Sequence, residues 1–186
     1  LGRVEWIKLY GLLTGTLEQA EAFFQESVQQ VQSVQKETQQ QNGQAPTVVF
    51  FYFTSSGYAN VRTPHDYIAQ MIRQAGGSYA FTDEELGDQG SRSTVNMDLE
   101  QFFAVAKEAD FLIYNSTVEG ELASLDALLE KSPLMKDCKA VQSGNVWCTG
   151  QNMFQQVSGT AEMISDLHAV FSGDTAAPLN YLYRLQ

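Results

Sequence analysis

The residues of this 186-residue chain best suited to chemistry fall in three short stretches. The first, "TSSGYANVRTPH", holds Tyr58, Asn60, Arg62 and His65. A ring, a carboxamide and a forked guanidinium in one loop suit a ligand with aromatic or anionic groups. The competing readings are packing along the loop for Tyr58 and simple solvation for Arg62. A neutral imidazole at His65 has the nitrogen to fill an open metal position, and a solvated residue at a helix start accounts for it equally. The second stretch, "NSTVEG", offers Asn115 and Ser116 as hydrogen-bond donors, while Glu119 and the nearby Glu121 solvate the loop. The third, "TGQNMFQQ", sets Asn152 beside Met153 and Phe154. An adaptable thioether next to a ring suits a large planar ligand, and core packing competes closely.

Other chemistries find less support. "TSSG" follows an apolar run, yet no Gly-x-Ser-x-Gly elbow surrounds either serine, and no motif marks His65 or His168 as a base. His168 sits inside an apolar helical pattern and receives no function. Neither glycine-rich phosphate motif occurs. Twenty-two acidic against 11 basic residues give a net charge of -11, which repels nucleic acid and anionic lipid surfaces. Cys138, Cys148, His65 and His168 lack the close paired spacing of a zinc site. No catalytic residue, cofactor or resident metal is expected. The cysteines flank "KAVQSGNVW", which reads as a hairpin around Ser143-Gly144-Asn145. A cross-strand disulfide and two buried thiols both fit that reading.

The elements that position these stretches alternate in type. "TVVFFYF", Thr47 to Phe53, is a continuous apolar run of the kind buried within a parallel sheet. A long loop is expected after it, then a helix from His65 to Ala75 ended by Gly76-Gly77, which lets "SYAF" return as a strand. "MDLEQFFAVAKEA" reads as a helix capped by Asn96 or Asp98, and "DFLIY" as another buried strand. "LASLDALLEKSPLM" and "SGTAEMISDLHAVFSG" supply further helices. The expected fold class is α/β: one Rossmann-like lobe with an open, mostly parallel sheet flanked by helices, its ligands beyond the carboxyl ends of the strands. Ahead of it, the pattern reads as one long helix from Thr16 to about Gln41 with a glutamine-rich solvated face. The division is a helical segment at 1–44 and an α/β lobe at 45–186. Trp6, Ile7, Tyr10 and Leu13 share one helical face, so the chain opens on structured protein and its natural N-terminus is expected upstream. No run approaches the ~20 apolar residues of a membrane span.

In order along the chain, "HDYIAQMIRQAGGSYAF", "NMDLEQFFAVAKEADFLIY", "SPLMKDCKAVQSGNVW", "ISDLHAVF" and "LNYLYRLQ" resemble the second lobe of the extracytoplasmic substrate-binding proteins of ABC importers for iron complexes, haem and cobalamins. "LGRVEWIKLYGLLTGTLEQAEAFFQ" resembles the rigid helix that joins the two lobes of that class. The resemblance implies a periplasmic or cell-surface lipoprotein that is not an enzyme. It implies a cleft between two lobes holding an iron-siderophore, haem-like or related metal chelate for delivery to a membrane permease, with the first lobe lying outside this chain. It also implies a docking role for Glu100, with Asp98 as runner-up, against an arginine of the permease. A carboxylate favoured by the helix dipole accounts for Glu100 without any partner. A tetrapyrrole chelatase-like enzyme and another α/β small-ligand module are the alternatives.

Overall fold

The computed structural model describes residues 1–40, 43–87, 89–174 and 176–186, with the backbone but not the side chain of Phe154. The part of the glutamine-rich linker at 41–42 lies outside the described residues, just ahead of the expected boundary at 44.

The chain opens on three helices: α1 (Gly2–Glu5), α2 (Ile7–Thr14) and α3 (Leu17–Gln40). Gly11 lets α2 and α3 pack closely, since a Cβ there would lie 2.6 Å from that of Ala20. The opposite face of α2 carries Trp6, Tyr10 and Leu13, exposed at 63, 64 and 73%. The shared apolar face is therefore real but points outward. The long helix α3 spans 24 residues, about 36 Å. It seats Val31 and Val34 in the core, and Gln30 Nε2 donates to Ser165 Oγ at 3.0 Å.

The lobe follows as β1 (Thr47–Phe53), β2 (Ala59–Arg62), α4 (Tyr67–Gln74), β3 (Ser78–Tyr79), α5 (Asp83–Leu86), β4 (Thr94–Met97) and α6 (Leu99–Ala106). Then come β5 (Phe111–Tyr114), α7 (Ser116–Glu119), α8 (Leu125–Lys131), α9 (Lys139–Gln142), β6 (Val146–Thr149), α10 (Thr160–Ser172) and β7 (Leu182–Arg184). The sheet runs β4-β2-β1-β5-β6-β7, with short β3 also paired to β1. The expected open α/β sheet is present. Its centre, β1-β5-β6, is parallel, and the pairs β1-β2, β2-β4 and β6-β7 are antiparallel.

Burial explains the centre. Val48, Val49, Phe50 and Phe51 of β1 are at most 1% exposed, and burying a side chain of this kind contributes roughly 1.5–3 kcal/mol. Phe51 meets Phe102 of α6 at 4.8 Å between ring centroids, and Tyr114 edge-on at 5.7 Å. Asp66, not His65, caps α4 by accepting the Ile68 N–H at 3.0 Å. At its far end Gly76 takes φ +95°, which an L side chain resists, while Gly77 is needed for space. A Cβ at Gly77 would sit 2.8 Å from Phe171 and 3.0 Å from both Ile72 and Val48.

Two expectations are corrected. The stretch after β1 is not one long loop: "ANVR" forms β2 and folds back on β1, with Phe53 opposite Ala59 and Phe51 opposite Val61. The segment between the cysteines is not a hairpin. It is the single helical turn α9, closed by Gly144 at φ +69° and by the Asn145 N–H on Ala140 O at 2.7 Å. Cys138 precedes that turn, Cys148 lies in β6, and both thiols are free and wholly buried. Asp98, rather than Asn96, stands at the start of α6.

Candidate functional site

The carboxyl ends of β5 and β6 reach the same rim, where the chain turns tightly twice. Asn115 accepts the Thr117 N–H at 3.2 Å and the Thr117 hydroxyl at 2.6 Å, which starts the one-turn helix α7. Gly120, at φ +87°, ends it. Across the rim, Thr149 Oγ1 accepts the Ser116 N–H at 3.0 Å and lies 3.2 Å from Ser116 Oγ. These bonds tie the loop after β5 to the end of β6. After β6, the 3₁₀ turn Gln151–Phe154 is held by the Gln151 N–H on Glu121 Oε1 at 3.1 Å.

Arg62 enters from β2. Tyr79 Oη brackets its backbone, accepting the Arg62 N–H at 3.0 Å and donating to Arg62 O at 2.8 Å. Burial pushes the Tyr79 hydroxyl far above its usual pKa, so it stays protonated and keeps that donated bond. The guanidinium lies 4.0 Å from Asp66 Oδ1 and 5.9 Å from the centroid of Phe50, with its side chain only 15% exposed.

Arg62, Ser116, Thr117, Val118, Gly120, Gln151 and Gln155 surround one depression of about 500 Å³. Hydroxyls, carboxamides and a guanidinium dominate its wall. The chemistry of such a surface suits oxygen-rich or anionic groups, through hydrogen bonds. Among the described residues no cluster of three or more histidine, cysteine or acidic side chains is placed to hold a metal ion.

The sequence-based candidates divide. Arg62 and Ser116 line this depression. Asn115, 1% exposed, underlies it as a cap. Asn152 lies half-buried in the same 3₁₀ turn, Met153 points into the core, and the side chain of Phe154 is outside the described residues. Tyr58 stands exposed at the β1-β2 turn. Asn60 is buried in mid-strand, its amide donating to Asn96 Oδ1 at 2.7 Å. His65 is exposed and pairs with Asp83 at 3.0 Å. None of these three lines the depression. Glu100 and Asp98 are exposed at the start of α6. Sequence reasoning missed Thr117, Gln151 and Gln155. Their signal was position rather than residue type: Thr117 lies three residues beyond β5, and Gln151 and Gln155 lie two and six beyond β6.

The described residues thus form a single open α/β lobe, led by a long helix and ending in a polar rim. The chain belongs to the periplasmic binding protein family, whose family model matches residues 1–153. It is 28% identical over 172 residues to an uncharacterized lipoprotein of Methanocaldococcus jannaschii, covering 91% of this chain and 39% of that one. Its fold matches the TroA-like periplasmic binding protein FepB of Veillonella parvula, with TM-score 0.76, 14% identity, and coverage of 99% of this chain and 61% of that one. It also matches the periplasmic heme-binding protein RhuT of Roseiflexus sp. RS-1, with TM-score 0.72, 17% identity, and coverage of 91 and 62%. A periplasmic heme-binding protein of Pseudomonas aeruginosa gives TM-score 0.71, 16% identity, and coverage of 97 and 63%. The chain thus spans about two fifths of the curated relative and about three fifths of these structures. At such identities the structural matches establish the fold alone.

Proposed function

We propose that this chain is the second lobe of the extracytoplasmic solute-binding component of an ABC importer. Its polar rim forms one wall of a cleft that holds an iron complex, siderophore or haem-like, for delivery to a permease. The observation that carries this reading is the convergence of Arg62, Ser116, Thr117, Gln151 and Gln155 on one depression at the strand ends. Ligands of open α/β sheets bind at that place. The guanidinium, held in line by Asp66, meets an anionic oxygen of the cargo, and the hydroxyls and carboxamides accept or donate around it. Binding and release need no bond to be made or broken, in keeping with a family of binding proteins. Exposed Glu100 is the residue assigned to meet an arginine of the permease.

The test is a titration of the full-length protein with haemin, a ferric siderophore and a cobamide, followed by tryptophan fluorescence. Trp147, in β6, is the reporter. One of the three quenches the wild type, and Arg62→Ala weakens that binding about ten- to a hundredfold, the scale of a hydrogen bond to a charged group. A wild type silent to all three, or an Arg62→Ala protein with unchanged affinity, overturns the reading.

A further inference from the structure

One wall of the depression is a segment without regular helix or strand. Residues 150–159 pass through two 3₁₀ turns, Gln151–Phe154 and Val157–Gly159, and present Gln151 and Gln155 to the depression. Within the segment, backbone bonds such as Gln155 N–H on Asn152 O at 3.1 Å close single turns only. Such a segment owes its placement to whatever grips it from outside.

Glu121 accepts the Gln151 N–H and Met153 is buried in the core, and the grip that spans both ends of the segment comes from Tyr181, which is 3% exposed. Its carbonyl accepts the Gly150 N–H at 2.9 Å, fixing the start of the segment. Its hydroxyl lies 2.9 Å from Gln156 Oε1 and 3.3 Å from Glu162 Oε2, fixing the far end against α10. With one proton to give, the hydroxyl donates to Gln156 Oε1 or to Glu162 Oε2; with the Gln156 amide turned over, the Gln156 amide donates to the hydroxyl and the hydroxyl donates to Glu162, which satisfies all three. The ring reaches this position because residue 159 is glycine: a Cβ there would lie 1.9 Å from the hydroxyl oxygen. Tyr181 is itself anchored. Asp166 Oδ2 of α10 accepts the N–H groups of Asn180 and Tyr181, each at 2.7 Å.

We propose that Tyr181 is a positioning residue of the ligand seat: it touches no ligand, and it holds residues 150–159 so that Gln151 and Gln155 face the depression. The proposal rests on the reading of that depression as the seat. It places an affinity determinant far along the chain from the rim loops, on the segment leading into β7.

The test compares wild type, Tyr181→Phe and Gln156→Ala in the full-length protein. Tyr181→Phe keeps the packed ring and removes only the hydroxyl, and Gln156→Ala removes the other half of the contact from an exposed position. Amide hydrogen exchange at residues 153, 155, 156 and 159 is expected to quicken in both variants. With haemin as the probe, both are expected to bind about three- to tenfold more weakly, the scale of one hydrogen bond. In a Gln155→Ala background the Tyr181→Phe effect should shrink, since Tyr181 acts through the wall that Gln155 completes, and a general loss of stability would leave it unchanged. Unaltered exchange overturns the proposal, and so does faster exchange with unaltered affinity. A wild type that does not bind haemin counts against haem as cargo, and the exchange measurement still decides whether Tyr181 holds the segment.

Discussion

At the scale of the residue, several polar side chains are committed to hydrogen bonds within the protein. Asp110 shows this at the opposite end of the sheet from the rim. Its carboxylate accepts the Thr47 N–H at 2.8 Å and Lys139 Nζ at 2.6 Å, joining the starts of β1 and β5. Partial burial pushes its pKa up, but the Lys139 ammonium and the Thr47 N–H together hold it below the ordinary carboxylate value. The folded state therefore prefers the ionised form. Its stabilisation is complete above the unfolded pKa of ~3.9 and is lost as pH falls through the lower folded value. Asp110→Asn is expected to lower the urea midpoint at pH 7, with the gap to wild type closing below about pH 3. A gap that persists there refutes the assignment. The same economy explains why the sequence ranked site residues unevenly. Asn115 stands on the rim as expected, but its oxygen is committed to Thr117, and no residue-type argument tells a committed amide from an available one.

At the scale of the element, apolar runs and glycines were readable and pairing was not. Strand β1 begins and ends where the run "TVVFFYF" does, and α3 nearly fills the helical pattern read for it. "TSSGYANVRTP" concealed β2 because Ser55, Ser56 and Gly57 look like loop, and Ala59 and Val61 gain their buried setting from partners remote in sequence or beyond the turn, Phe51 and Phe53 on one side and Val95 and Met97 on the other. The α9 turn was hidden for the opposite reason. "KAVQSGNVW" alternates like a strand, yet Ala140 is wholly buried and the Lys139 N–H is taken by Lys107 O at 2.8 Å, which leaves no room for a partner strand. Gly76 and Gly77 look alike in sequence and differ in cause. Gly77→Ala drives a methyl into Phe171, Ile72 and Val48 and is expected to cost about 1–3 kcal/mol, measured by urea denaturation at unchanged m-value. A loss below a few tenths of a kcal/mol shows that α4 and α10 can part without strain.

At the scale of the whole molecule, the polar depression and the apolar face lie on different parts of the fold. Among the described residues, half of the exposed large apolar side chains lie between residues 6 and 13, on the helical hairpin, while the rim is mostly polar. Between them the sheet core is continuous from Val31 of α3 to Leu185 beyond β7. Cys138 and Cys148 belong to that core, and burial raises both thiols, Cys138 to about 11. The consequence is a built-in clock. Thiolate is the reactive form, so neither sulfur meets an alkylating reagent until the sheet comes apart. In native buffer, iodoacetamide is expected to label Cys138 and Cys148 together, at a rate that rises with urea in step with loss of tryptophan signal. Each modified molecule then records one passage through the open chain.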